Sequence, residues 1–392
     1  MYRCVTNITI TQLPSVSFPN RKTVLGFDFV NEFECSDSWR DLTNKGKMVL
    51  PKNLYFRDQF GKLQPLHGTN INIGGFSSNA PLLLRGDKIK IVAGYKYFDK
   101  AGREITDTAT MFEGYISKVG SKIPIECELE DNMWLLKQTP VGLRTFSKSD
   151  KLSTILAFIL QGTGFTYNAL TETTFGAFSV GNETACQVLQ RLQKTYGFES
   201  YFRGNELRCG AIIYIPGEGT TQNFFFQQNI ISDELEYVRK DDITLSAVAH
   251  NYIEELTGKH TKDGQAKTKR TRLEVLVTLR NGVKTIKEIK KGDTVPSNNE
   301  GERRTLFYPG AKTVSELADL AFKEIVKYYY TGLRGKFTTF GIPFVRQGDV
   351  ANIQDPILPE RNGLYKIKQV DYTGGVSGLR QEISLDFKLN TN

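Results

Sequence analysis

The sequence predicts a mainly β fold that carries a small α+β insert. Three observations predict it. Apolar and polar residues alternate with period two, most clearly where Ile123, Ile125, Cys127 and Leu129 alternate with Pro124, Glu126, Glu128 and Glu130. Long connections rich in Gly, Asn, Pro and Ser separate such segments, as in HGTNINIGGFSSNAP at 67–81. Only three stretches have the apolar spacing of a helix. At 392 residues the chain has room for roughly two to three domains. It can bury a sizeable core without a disulfide or metal staple.

The first ~140 residues read as strands, with turn signals that fit a closed or nearly closed barrel. ITITQL (8–13) and VLGFDFVNEFEC (24–35) are β-rich, and Arg85-Gly86-Asp87 is a turn leading into KIKIVAGY (88–95). MFEGYISKV (111–119) follows. The acidic face of residues 123–130 is a solvated sheet face. Near 146 the character changes. Ser149 or Asp150 is placed to cap a helix with Leu152, Ile155, Leu156, Ile159 and Leu160 on one stripe, and Gly162 and Gly164 end it. A second helix starts after the cap candidate Asn182, carries Val188, Leu189, Leu192 and Tyr196, and stops at Gly197. FESYFR, Gly204-Asn205 and ELRCG then form a hairpin.

Strand signals resume over 223–253. Residues 257–272 form a polar basic loop, with Lys259, Lys262, Lys267, Lys269, Arg270 and Arg272 against Asp263. A hairpin turns at Asn281-Gly282. Thr313-x-x-Glu316 is a capping box for a helix through Leu317, Leu320, Ala321, Ile325 and Tyr328 that stops at Gly332. Leu364–Val370 and Leu379–Leu389 are strands. In the last, Leu379, Ile383, Leu385, Phe387 and Leu389 face the core, and Arg380, Glu382, Ser384, Asp386 and Lys388 face away. Arg85-Gly86-Asp87 with Phe112–Ile116 has an echo in Gly348-Asp349 with Gly363–Ile367, a sign of internal duplication.

Net charge is +8, with 39% hydrophobic and 11% aromatic residues, an ordinary globular composition. No apolar run is long enough to cross a bilayer, and MYRCVTNITITQLPSV lacks the apolar core of a secretion signal. Synthesis and assembly in a cytosol, or exit by another route, is expected, with no membrane partner. Cys4, Cys35, Cys127, Cys186 and Cys209 are spaced for reduced thiols. His67, His250 and His260 lack the spacing of a zinc site. There is no GxSxG elbow, phosphate loop or calcium loop. Gly162-Thr163-Gly164 follows a helix and is a helix stop, not a dinucleotide fingerprint. Asp233, Glu234 and Glu236 are placed in a solvated acidic turn. The basic loop has no aromatic for base stacking and reads as solvated surface. In Tyr328-Tyr329-Tyr330 the first is core and the others helix surface. No catalytic, cofactor-binding or metal-binding residue is assigned.

Four stretches carry a family resemblance. They are Gly86-Asp87-Lys88-Ile89-Lys90-Ile91 with Phe112-Glu113-Gly114-Tyr115-Ile116 and Ile125–Lys137; Ala185–Gly197 with Phe198–Leu207; Gln228–Tyr237; and Gly348-Asp349-Val350 with Asp355-Pro356 and Gly363–Val370. In this order the chain resembles phage tail baseplate hub proteins, of the late-control-protein group and the hub part of type VI secretion spikes. The resemblance implies two similar β-barrel domains of tail-tube type. It divides the chain into a first barrel at 1–145, a small α+β domain at 146–222, a second barrel at 223–256 with 335–392, and a helix-containing insertion at 257–334. It implies a structural, non-enzymatic virion subunit, assembled in the bacterial host cytoplasm and placed in the tail. Three copies would form a pseudo-sixfold ring joining the hexameric tail tube or distal tail proteins to a trimeric spike or tip protein. DNA would pass the lumen without specific binding, and the lumen is expected not to be strongly basic. Strands such as Val24–Phe33 and Leu379–Leu389 would form the ring walls. No appended lysozyme-like domain is expected. The alternatives from the residues are a tail-associated peptidoglycan hydrolase and a carbohydrate or nucleic-acid binding module.

Overall fold

The computed structural model describes residues 2–51, 54–57, 63–66, 81–122, 124–175, 178–211, 214–215, 217–260, 266–290, 292–295, 301–308 and 311–389. For 54–57, 63–66, 254–260 and 266–270 it describes the backbone alone. The first part contains β1 (Arg3–Thr11), β2 (Val24–Phe27), β3 (Glu32–Ser38), β4 (Lys45–Val49), β5 (Leu54–Arg57), β6 (Leu63–Leu66), β7 (Lys88–Phe98), β8 (Glu104–Val119) and β9 (Glu126–Glu130). The α+β module contains α1 (Met133–Gln138), β10 (Arg144–Phe146), α2 (Leu152–Ile159), β11 (Thr166–Ala169), β12 (Phe178–Val180), α3 (Ala185–Tyr196), β13 (Glu199–Arg203) and β14 (Glu206–Gly210). There follow β15 (Thr221–Phe225), β16 (Ile230–Val238), β17 (Thr244–His260), β18 (Ala266–Arg280), β19 (Val283–Glu288), β20 (Glu302–Phe307) and α4 (Val314–Ile325). The chain closes with β21 (Gly332–Phe340), β22 (Val350–Gln354), β23 (Gly363–Gly375) and β24 (Arg380–Leu389).

Two six-stranded units share one strand order. The first runs β3-β4-β9-β8-β7-β1 and the second β16-β21-β24-β23-β22-β15. Read in chain order, each position in one unit has its counterpart in the other. The pairings agree in direction except at one end, where β1–β7 is antiparallel and β15–β22 is parallel. A register shift also recurs, at Ile116/Lys118 between β8 and β9 and at Ile367/Gln369 between β23 and β24. The internal duplication is therefore real at the level of topology.

The units are fused. β3 pairs antiparallel with β23, from Glu32 opposite Gly375 to Ser38 opposite Gln369. With β2 beside β1, this makes one 13-stranded sheet, and no sheet closes on itself among the described residues. The two expected barrels are thus seen as two open units of a single sheet. β3 and β23 use their edges on each other. Val24–Phe33 is likewise two strands, broken at residues 28–31. One apolar core runs through both units, with Ile8, Phe33, Met48, Ile91 and Leu129 from the first and Phe337, Tyr365, Ile367 and Ile383 from the second.

Glycine sets the approach of β7 and β8. A Cβ on Gly94 would lie 2.0 Å from the Asp107 carbonyl oxygen, so any side chain there must part the strands. Gly94→Ala is expected to cost roughly 3 kcal/mol, measurable as a lower midpoint in urea unfolding with an unchanged slope.

The α+β module follows its sequence signals. α3 carries a full capping box: the Gln187 N–H donates to Thr184 Oγ1 (3.3 Å) and the Thr184 N–H to Gln187 Oε1 (2.8 Å). The cap is thus Thr184 and not Asn182. Gly197 ends the helix at φ 68°, as expected of a left-handed cap. α2 is capped at Lys151, without a side-chain bond. Asp150 is occupied one turn earlier, accepting the Ser147 N–H at 2.6 Å. The predicted stripes of both helices are buried in one cluster with Phe146, Phe178 and Leu207. α1, a fourth and short helix, was not expected from periodicity.

The insertion forms a four-stranded sheet, β19-β18-β17-β20. The first strand of this sheet, β17, starts at Thr244 and pairs with both β18 and β20. The basic stretch at 257–272 is not a loop along its length. β17 and β18 pair from Thr244 opposite Arg280 to His260 opposite Ala266; Lys262 and Asp263 lie outside the described residues. Each strand satisfies the other's backbone groups, which overrides the polar composition. The Asn281-Gly282 turn has φ of 49° and 75°, as a type I′ hairpin requires. α4 packs Leu317, Ala318, Ala321 and Ile325 on this sheet. Leu320, assigned to the apolar stripe, is exposed, and Ala318 takes its place. The helix stops at Ile325, and a short 3-10 turn carries the chain to Tyr328.

Candidate assembly face

The best-defined repeated feature is the Gly-Asp turn of each unit. In the first, Gly86 N–H donates to Ile116 O (2.8 Å), Ile116 N–H to Asp87 O (2.9 Å) and Asp87 N–H to Leu84 O (3.2 Å). In the second, Gly348 N–H donates to Ile367 O (2.8 Å), Ile367 N–H to Asp349 O (3.0 Å) and Asp349 N–H to Arg346 O (3.1 Å). The carboxylates repeat too. Asp87 accepts from the Leu84 and Leu13 N–H groups at 2.8 and 3.0 Å. Asp349 accepts from the Arg346 and Thr220 N–H groups at 2.8 and 2.8 Å. Gly86 and Gly348 have φ of 96° and 88°, which a side chain rarely adopts. Asp fits because one carboxylate satisfies two backbone donors where three strands converge. The turns differ in one respect. Asp87 is buried against Arg21 in a bidentate pair, at 2.8 and 2.6 Å, and Asp349 has no such guanidinium partner among the described residues.

The solvent-facing side of the continuous sheet interleaves charges. Lys47 meets Glu126 at 3.1 Å, Lys118 meets Glu128 at 2.6 Å, and Lys336 meets Glu382 at 3.0 Å and Glu234 at 3.5 Å. These carboxylates raise the lysines' pKa, in each case first through a hydrogen bond that the lysine donates, Lys47 to Glu126, Lys118 to Glu128 and Lys336 to Glu382. Such exposed pairs contribute little to stability. Their effect is on the surface potential: this face is not a strip of bare cations, although the chain as a whole carries +8.

β16 is a sheet edge. Asp233, Glu234 and Glu236 lie on this strand and are exposed, so the expected acidic turn is an acidic edge. The Leu235 N–H is turned away from β21 onto Asp233 Oδ1 at 3.4 Å. By strand alternation, Asp233 and Tyr237 also direct their backbone groups outward.

A crevice of about 200 Å³ lies where both units meet the module, lined by Asp37, Asp131, Arg203 and Arg346. Burial raises the Asp131 carboxyl to about 7, against the N–H groups of Asn44 (3.1 Å) and Met133 (3.0 Å) that favour its charged form. Asp37 is also raised by burial, opposed by Arg203. A carboxyl raised on folding adds stability that is full below its unfolded value and lost as pH rises through its folded value. For Asp131 that window runs from about 4 to about 7. The chain is expected to be roughly 2 kcal/mol more stable at about pH 5 than at about pH 8 through this group. Thermal unfolding of wild type and Asp131→Asn checks it; parallel pH profiles would reject the assignment.

The remaining sequence-named residues fall as follows. Cys35, Cys127, Cys186 and Cys209 are buried and free, and Cys4 is half-buried. Burial raises every one of these thiols, Cys127 and Cys209 to about 12, so they are poor nucleophiles. His250 is buried, paired through Nε2 with Thr195 O at 2.9 Å, and lowered to about 4 by burial. His67 lies outside the described residues. No group of three metal-ligating side chains occurs among the described residues. Tyr328 is core as expected, but Tyr330 is buried as well, its hydroxyl donating to Leu333 O at 3.2 Å. Asp386, predicted to face solvent, is buried: Tyr214 donates to Oδ2 at 2.5 Å, Trp39 donates to Tyr214 at 3.0 Å, and Arg304 stands 3.8 Å away. This cluster joins Trp39, just after β3, and Tyr214, between β14 and β15, to β20 and β24. Its partners are distant in sequence, so alternation alone reads Asp386 as exposed.

A 43 kDa tail protein of the prophage MuSo2 of Shewanella oneidensis has a similar structure, with a TM-score of 0.51 at 11% identity, covering 97% of this chain and 98% of that one. A tail protein of Neisseria meningitidis MC58 gives 0.53 at 10% identity, covering 98% and 97%. A type VI secretion system component of Escherichia coli gives 0.45 at 9% identity, covering 92% and 74%. No family model matches the sequence, and no curated protein matches it.

Proposed function

The chain has the fold of prophage tail proteins, and from that premise we propose that it is a structural, non-enzymatic hub subunit of a phage or phage-like tail. Three copies form a pseudo-sixfold ring that joins a hexameric tube to a trimeric spike or tip and lets DNA pass. The duplicated six-stranded unit carries this reading. Two equivalent units per chain let three chains present six similar edges, and a ring closes only when the repeated rotation closes. In this reading the chain divides as the resemblance implies, into 1–145, 146–222, 223–256 with 335–392, and 257–334.

The junction inside the chain supplies the pattern for the junction between chains. In the chain, β3 of the first unit pairs with the C-terminal half of β23 of the second. The counterpart of β3 is β16, and the counterpart of that part of β23 is the end of β8 near Lys118 and Val119. In the ring, β16 of one copy pairs with the end of β8 in the next. The ion-paired sheet face then lines the lumen, where neutralised lysines let a polyanion slide past.

Light scattering tests the reading. A mass near three times 44.2 kDa, with rings in electron micrographs, is expected. A strict monomer at every concentration, alone and with tail-tube protein, would sink the symmetric assembly.

A further inference from the structure

The Gly86-Asp87 turn, β8 and α1 border a cavity of about 480 Å³, within the roughly 300–1,000 Å³ range of sites that hold small ligands. Tyr115 and Trp134 stack at its wall, ring centroids 5.0 Å apart and tilted by 24°. The Arg85 guanidinium lies 6.0 Å from the Trp134 ring and the Lys88 ammonium 5.9 Å from the Tyr115 ring. Neither cation has a carboxylate partner among the described residues. Asp87, between them in sequence, is taken by Arg21. Trp134 Nε1 is buried and has no hydrogen-bond partner, a rare state for a donor. Leu13, Pro14, Leu84 and Leu135 supply an apolar wall. Gly86 seats the indole: a Cβ there would come within 3.1 Å of it.

We propose that this cleft binds an extended peptide segment of a partner protein, with a carboxylate side chain set between apolar ones. The carboxylate answers the two cations that flank the stacked rings. The flanking side chains cover the apolar wall, which a free inorganic anion would leave wet.

Calorimetry on the full chain tests it, with acetyl-Leu-Glu-Leu-amide as probe. Binding that weakens with added salt is expected, with at least about tenfold loss in the Arg85→Ala/Lys88→Ala variant. Equal affinity for acetyl-Leu-Gln-Leu-amide would overturn the proposal. So would inorganic phosphate binding as tightly as the peptide, or no heat at about 10 mM probe.

Discussion

Replacing Arg21 by methionine is expected to destabilise the chain by about 3–5 kcal/mol, because it leaves the Asp87 carboxylate buried and unpaired. Both side chains are almost wholly buried, at 3% and 1% exposure, and meet at 2.6 Å. Arg21 also donates to the carbonyl oxygens of Leu13, Pro81 and Leu82. Its loss therefore strands several acceptors at once. The second unit supplies an internal control. Asp349 makes the same backbone bonds without a buried guanidinium, so Asp349→Asn should cost only about 1 kcal/mol. Asp87→Asn, which orphans Arg21, should cost much more. Urea unfolding of the three variants decides it. Equal losses for Asp87→Asn and Asp349→Asn would mean that the ion pair contributes nothing beyond the turn.

The second large effect concerns assembly. The double variant Asp233→Pro/Tyr237→Pro removes two outward N–H groups from β16 and leaves the bonds to β21 in place, since proline is tolerated on a sheet edge. Under the proposed ring, the particle should fall from three times 44.2 kDa to a single chain, with the melting temperature of the monomer unchanged within a few degrees. A variant that still trimerises would move the interface away from this edge.

Legibility in the sequence tracked the range of the interactions. The period-two strand at 126–130, the box at Thr313 and Glu316, the turn at Asn281-Gly282 and the stop at Gly197 depend on neighbours a few residues away, and all four were readable. The Gly-Asp echo was readable as well, and the matched hydrogen bonds at Ile116 and Ile367 show why the pattern recurs. The caps of α2 and α3 were displaced by one or two residues because several small polar residues compete there, and only packing chooses among them. The cleft at Trp134 was not readable, since its lining comes from residues 13 to 205.

The sequence by itself determined the β-rich class, the α+β insert, the helical stripes and the repeated turn, because backbone sterics, side-chain period and capping act locally. Tertiary structure alone decided that the two units fuse through β3 and β23, that the Asp386 and Arg21 side chains are buried, and that residues 266–272 of the basic stretch pair as strand. Each of those outcomes rests on a partner far away in the chain. Pairing a backbone edge or a charge with such a partner outweighs the weak local preference of the residues concerned.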